Sequence, residues 1–407
     1  MKARPKAFVS KQDKESYLSA AAGLLGGRLQ IPVSRVLPLS EAAQAHAMLA
    51  KGGSEKSCCG PEGRGASRAD PRRVERQEEN NMATMRAAVI REAGPPEALK
   101  IESIPRPEPS AEQVLIRVRA FGINRSELFT RRGLSPGVAF PRVLGIEAVG
   151  EVASAPGGQF RAGEIVATAM GGMGRQFDGG YAEYVCVPVR QVQVIKTSLG
   201  WETLGALPEM LQTAWGSLFR ALRLASGERL LVRGGTTSVG LAAAAIAKAH
   251  GATVISTSRN PARGAMLRQA GADHVVIDSG TIAVAVEALP GGRADKVLEL
   301  IGTTTLADSL RCAREPGIVC MMGMVGDKWS FDNFSPMEVI PTGVCLTTYD
   351  GGPIDFMRTP LQQLVEQVEA GSLHVHVGKV FQLDQIAEAH RLMEENKSGG
   401  KIVVVTS

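Results

Sequence analysis

LLVRGGTTSVGLAAAAIAKAHGA, Leu230 to Ala252, decides how the rest of this 407-residue chain is read. Leu230-Leu231-Val232 has strand character, a Gly/Thr/Ser turn follows, and an alanine-rich helical stretch runs to Gly251. Thr253-Val254-Ile255 then supplies a second strand. A strand–turn–helix–strand unit of this kind presents helix N-terminal amides to a pyrophosphate. The turn reads Gly235-Thr236-Thr237-Ser238-Val239-Gly240, so threonine replaces the middle glycine of G-x-G-x-x-G. Gly235 suits the tight turn and Gly240 lets the helix pack on the sheet. Thr237 limits backbone approach but offers a hydroxyl donor.

The residues after the second strand distinguish the two nicotinamide dinucleotides. An NAD site places Asp or Glu about 20 residues beyond the glycines to hold the ribose 2′-hydroxyl. Here the segment reads Ser256-Thr257-Ser258-Arg259-Asn260-Pro261-Ala262-Arg263, with no carboxylate. Hydroxyls at Thr257 and Ser258, followed by Arg259 and Arg263, suit a 2′-phosphate held by charge-assisted hydrogen bonds. NADPH is therefore the expected cofactor. The competing reading makes the two arginines a solvated helix start.

Composition bounds the remainder. The length predicts two domains with additions, and 44% hydrophobic residues support globular cores. No run reaches the roughly 18 apolar residues of a membrane span, and no secretory signal follows the basic start. Six scattered cysteines read as reduced thiols, so a cytoplasmic protein with no membrane partner is expected. The net charge of +5 resides entirely in residues 1–81, with 14 Lys+Arg against 9 Asp+Glu. The rest is balanced, which argues against nucleic acid as a partner.

The N-terminal region holds a repeat. Gly27–His46, GRLQIPVSRVLPLSEAAQAH, matches Gly371–His390, GSLHVHVGKVFQLDQIAEAH, at a constant offset of 344. Residues 1–53 thus read as a partial copy of the C-terminal strand–helix segment. Residues 54–84, rich in Gly, Ser, Arg and Glu and carrying Cys58-Cys59, read as a disordered linker. From Met85 short strands with Gly/Pro punctuation predict a β-rich domain over 85–205, joined by 341–407. Residues 206–340 alternate strand and helix, which predicts a doubly wound parallel sheet.

Several stretches together resemble the medium-chain dehydrogenase/reductase superfamily, in its zinc-free quinone oxidoreductase (zeta-crystallin-like) branch. They are Gly122-Ile123-Asn124-Arg125-Ser126-Glu127, Gly145–Gly150 (GIEAVG), Gly179–Tyr184 (GGYAEY), Thr213-Ala214-Trp215, the glycine turn and Lys401–Val404 (KIVV). The resemblance covers Met85 to Ser407. It implies an α/β chain with a GroES-like β-rich domain and a Rossmann domain, a cleft between them, NADPH, and a homodimer.

Catalytic zinc needs three ligands drawn from Cys, His and carboxylate. Zinc-type relatives carry Cys where this chain has Asn124 and His where it has Ile146. Between Met85 and Trp201 there is no histidine and one cysteine, Cys186, so no metal is expected. What remains is hydride delivery to a small electrophilic acceptor, a quinone or conjugated enone. Asn124 matches the family's active-site asparagine and is the candidate to orient nicotinamide or acceptor oxygen. Thr213 and Gly323, within Met322-Gly323-Met324, are expected near the nicotinamide. Phe129 stands where the family has tyrosine, which leaves solvent or Tyr349 as proton source. The alternatives are a trans-enoyl thioester reductase and a non-catalytic NADPH-binding redox sensor.

Overall fold

A computed structural model describes residues 83–328 and 330–406. The repeat over 1–53 and nearly all of the expected linker lie outside the described residues.

Three sheets organise the described chain. β1 (Thr84–Ile90) pairs antiparallel with β2 (Leu99–Pro105) and with the short β4 (Arg142–Val143). A seven-stranded sheet follows, built on β3 (Gln113–Gly122), β5 (Glu147–Ser154), β6 (Ile165–Ala169), β7 (Tyr184–Pro188), β8 (Val192–Val194), β15 (Val377–Gln382) and β16 (Lys401–Val405). Its path is β15-β16-β3-β5-β6-β8, with β7 also on β3. The β16–β3 pairing sets Val403 opposite Gly122. The last strand therefore runs beside the segment that leads into Asn124.

The third sheet is the doubly wound one. β9 (Arg229–Arg233), β10 (Thr253–Ser258), β11 (His274–Ile277), β12 (Ala294–Glu299), β13 (Ala313–Met321) and β14 (Val344–Thr348) are ordered β11-β10-β9-β12-β13-β14, all parallel. Strand order reverses between β9 and β12, where a Rossmann sheet opens its ligand crevice beyond the strand C-termini. Leu230, Leu231 and Val232 are fully buried, as strands covered on both faces require. Each such side chain contributes roughly 1.5–3 kcal/mol.

One boundary moves. Residues 341–407 were expected with the β-rich domain, yet β14 forms the edge of the parallel sheet. Val344-Cys345-Leu346-Thr347-Thr348 is a half-buried edge strand with weak apolar patterning, and Pro341 and Gly343 before it look like a domain break. The rest of the tail does return, since β15 and β16 close the seven-stranded sheet. One apolar core spans the two sheets. Helix Pro208–Gly216 supplies Met210, Leu211 and Ala214 to it, between Ala120 and Val149 on one side and Leu230 and Ala243 on the other.

Among the described residues no helix is long and apolar enough to cross a membrane. The described cysteines, Cys186, Cys312, Cys320 and Cys345, are free.

Candidate active site

The crevice at the switch point is a cavity of about 400 Å³ that runs from Asn124 to Arg263. Its cofactor end is built from the glycine turn. Helix α1 (Ser238–Ala249) begins at Thr237, whose Oγ1 accepts from the Gly240 amide at 3.0 Å and donates to the Gly234 carbonyl at 2.9 Å. The Thr237 hydroxyl expected as a ligand donor is thus spent on capping the helix. A Cβ at Gly240 would lie 2.7 Å from the Gly234 carbonyl oxygen, so only glycine allows this tight return. Thr236, Thr237, Ser238 and Val239 line the cavity, while Gly235 and Gly240 shape the turn behind it. First-turn amides of a helix have no intrahelical acceptor and are available to phosphate.

Beyond β10, Thr257, Ser258, Arg259 and Arg263 line the same cavity. Thr257 Oγ1 accepts from the Gly234 amide at 3.0 Å, which ties the second strand to the turn. The Ser258 hydroxyl is engaged with the backbone of Asn260. Among the described residues neither Arg259 nor Arg263 forms an ion pair. Asp278, at the end of β11, also lines this wall and was missed from sequence. Arg233 holds both its oxygens at 2.9 Å, and the Gly280 amide donates to it as well. These contacts keep its carboxyl below the usual range despite partial burial. The Asp278 carboxylate on this wall is therefore already occupied.

The acceptor end is assembled from distant segments. Asn124 caps the short helix Arg125–Arg131 and is 8% exposed. Its backbone N–H donates to Glu127 Oε2 at 2.6 Å. Its side chain is held from two sides: Nδ2 donates to Glu147 Oε1 at 2.9 Å, and Oδ1 accepts from Lys401 Nζ at 2.5 Å. Lys401 Nζ also lies 2.8 Å from Glu147 Oε1 and 3.5 Å from Glu209 Oε2. Gly122 makes this meeting possible, because a Cβ there would stand 2.3 Å from Lys401 Cε and 2.4 Å from Glu147 Oε1.

Behind Asn124 lies a second buried network. Glu127 accepts from the Ile146 amide at 2.7 Å and from the Tyr181 hydroxyl at 2.9 Å, and Tyr181 meets His390 Nε2 at 3.0 Å. Burial pushes the Glu127 carboxyl up to about 7, against the pull of its donors. Burial, with Arg131 nearby, lowers His390 to about 3, so its ring is neutral.

The remaining expectations divide. Met322, Gly323 and Met324 line the cavity, as does Phe129. Gly323 packs so tightly on Leu300 that a Cβ would meet its carbonyl oxygen at 2.2 Å. Thr213 does not reach the cavity; its hydroxyl donates to Glu209 Oε1 at 2.8 Å, and Glu209 lines the wall. Tyr349 is no proton source, because its ring packs against Gly216 rather than into the cavity, and burial pushes its hydroxyl up to about 12. Sequence reading missed Glu209 and passed over Lys401 as a mere family anchor. Among the described residues no group of three His, Cys, Asp or Glu is placed to hold a metal ion.

Known proteins are similar to this chain in sequence and fold. The family described as "Alcohol dehydrogenase GroES-like domain" matches residues 110–197, and "Zinc-binding dehydrogenase" matches 270–404. Human quinone oxidoreductase is 29% identical over 333 residues, covering 79% of this chain and 98% of its own length. The solved quinone oxidoreductase of Coxiella burnetii has 25% identity and a TM-score of 0.69, covering 80% of this chain and all of that one. A segment of a phenolphthiocerol/phthiocerol polyketide synthase of Mycobacterium tuberculosis is 30% identical over 339 residues, which is 78% of this chain and 15% of that protein. Both domains, their order and the cleft between them point the same way: the chain belongs to the medium-chain dehydrogenase/reductase superfamily, in its quinone oxidoreductase branch, and is an NAD(P)H-dependent oxidoreductase acting on a small molecule.

Proposed function

We propose that the chain is an NADPH-dependent, zinc-free reductase of quinones or conjugated enones. The observation that carries this reading is the single cavity that joins a buried, side-chain-anchored Asn124 to the basic wall of Arg259 and Arg263. The residues fit the cofactor. The α1 amides suit the pyrophosphate, and the guanidinium groups of Arg259 and Arg263, which form no ion pair among the described residues, suit a 2′-phosphate. Arg233 has already taken the carboxylate that a ribose diol would need. When bound, the nicotinamide supplies hydride to an electrophilic carbon.

The protein's own part is orientation and charge placement. Asn124 Oδ1 faces the Lys401 ammonium, which fixes the amide the right way round. One Nδ2 hydrogen goes to Glu147, and the other is left for an oxygen in the cavity. A donor fixed in a water-poor wall stabilises a developing oxyanion without reorganising. Ile146 and Asn124 replace two ligand types that catalytic zinc would require, which supports metal-independent reduction. The homodimer and the cytoplasmic location implied by the sequence belong to the same proposal, and light scattering on the full-length chain checks the first.

A second reading, reduction of an enoyl thioester, is favoured by the 30% identity to the polyketide synthase segment. The deciding experiment is steady-state oxidation of NADPH and NADH, in EDTA, with 1,4-benzoquinone, 9,10-phenanthrenequinone, an enone and crotonyl-CoA. Turnover of quinone or enone with an NADPH preference is expected. Turnover of crotonyl-CoA alone would move the assignment to the thioester, and dependence on added zinc would sink the zinc-free part.

A further inference from the structure

We propose that Glu209 is the proton donor of the reduction, its carboxyl group delivering a proton to the acceptor's oxygen across the wall of the cavity. This rests on the reductase reading above and names the group that completes the reaction.

The assignment follows from how two carboxyl groups share one ammonium. Lys401 is 1% exposed at its side chain and stands between Glu147 and Glu209. Glu147 takes the ammonium at 2.8 Å, and also accepts from Asn124 Nδ2 at 2.9 Å and from the Glu209 backbone N–H at 2.8 Å. Its two oxygens thus receive three donors between them. Glu209 is differently placed. Its Oε1 accepts one hydroxyl, from Thr213, and its Oε2 sees Lys401 only at 3.5 Å. One cation cannot balance two buried anions, and the more weakly solvated carboxyl retains its proton. Desolvation accordingly raises the Glu209 carboxyl above its ordinary range, with Lys401 opposing and Glu147 reinforcing the shift.

Geometry completes the case. Glu209 lines the cavity together with Asn124 and Lys401, and its side chain keeps 12% of its surface exposed. Tyr349 lies elsewhere, and Phe129 carries no proton to give. The charged and titratable groups facing Glu209 are Lys401 on β16 and Glu147 on β5, and Glu127 acts on both of these from behind. In the reaction the acceptor's electrophilic carbon gains hydride from the nicotinamide reductant, and the conjugated electron pair moves onto its carbonyl oxygen. An O–H bond forms there as the Glu209 O–H bond breaks. Water returns a proton to the carboxylate afterwards.

The test uses the full-length chain and Glu209→Gln, which keeps the shape but cannot release a proton. Pre-steady-state NADPH oxidation with 9,10-phenanthrenequinone is measured against pH. Wild type is expected to slow above a single pKa, as the carboxyl loses its proton, and E209Q to be at least about 100-fold slower without that alkaline limb. NADPH binding, by fluorescence titration, should change less than twofold. In the cofactor-free protein, the infrared difference between wild type and E209Q at pH 7 should show one protonated carboxyl band. Thr213→Val removes the hydroxyl that favours the anion, and should move the alkaline limb to higher pH. A rate for E209Q within threefold of wild type, a retained limb, an unmoved limb in T213V, or no carboxyl band would each overturn the proposal. Should wild type reduce none of the acceptors, the reductase reading fails instead, and the infrared measurement still decides whether Glu209 holds the proton.

Discussion

The two ends of the cleft are built by opposite means. The cofactor end is local: Gly234 to Arg263 is one continuous run, and its recognition elements are turn geometry, helix amides and two exposed or half-exposed arginines. The acceptor end is global. Asn124, Glu147, Glu209 and Lys401 come from four separate elements, with Asn124 and Lys401 separated by 277 positions in the chain. On the reading proposed above, the first end would hold a large anion through backbone and solvated charge, and the second would work through buried side chains held by one another. Local geometry would then suffice to bind a dinucleotide, whereas the acid–base chemistry would require the whole fold.

The largest break in this contrast should come from Lys401→Met. Removing the ammonium leaves Glu147 buried at 0% exposure without its cation, which costs about 3–5 kcal/mol. Urea unfolding measures it, and adding Glu147→Gln should recover part of the loss. A K401M protein as stable as wild type would mean the cluster is not ionic.

Asn124→Ala should cost about 10²–10³-fold in kcat, the usual effect of losing one oxyanion donor, with NADPH affinity unchanged. Arg259→Ala and Arg263→Ala should show the opposite split. Each lowers kcat/KM for NADPH by about 10- to 100-fold and leaves NADH untouched. Equal losses with both cofactors would make the arginines structural.

The smallest effect is a pH dependence. His390 is depressed to about 3 in the folded chain, against about 6.5 when unfolded. Acid therefore protonates it only in the unfolded state. It destabilises the fold progressively as pH falls below 6.5, by on the order of 1.4 kcal/mol per pH unit. His390→Gln removes that penalty. The stability of wild type minus that of H390Q should thus rise with pH up to 6.5 and stay level above it. A difference that is flat from pH 5 to 7 would show that the ring titrates alike in the folded and unfolded protein.

How much could be read beforehand follows from the same contrast. That the turn at Gly235–Gly240 and the hydroxyl–arginine run after β10 meet at one cavity was legible because both lie within one strand–helix–strand unit. Asn124 was legible by resemblance, though its anchoring on Lys401 was not. Glu209 sits in an unremarked Leu207-Pro208-Glu209 stretch, and nothing nearby in sequence predicts that β16 will set a lysine beside it. Tyr349 had the right chemistry but the wrong place, since only the packing of its ring on Gly216 shows that it misses the cavity. The Thr237 hydroxyl was counted as a ligand donor because the helix start it caps is a three-dimensional demand. Of the two repeated segments, Gly371–His390 supplies β15 and the buried histidine behind Asn124, and its counterpart Gly27–His46 lies outside the described residues.

Lys401 lies on the last strand of the fold, beside β3. The residue that orients Asn124 is thus the last of the cluster to be synthesised, and the strand that carries it also gives Val403 and Val405 to the shared core. A chain that stops short of β16 would lose the anchor of Asn124 and part of the core in one step.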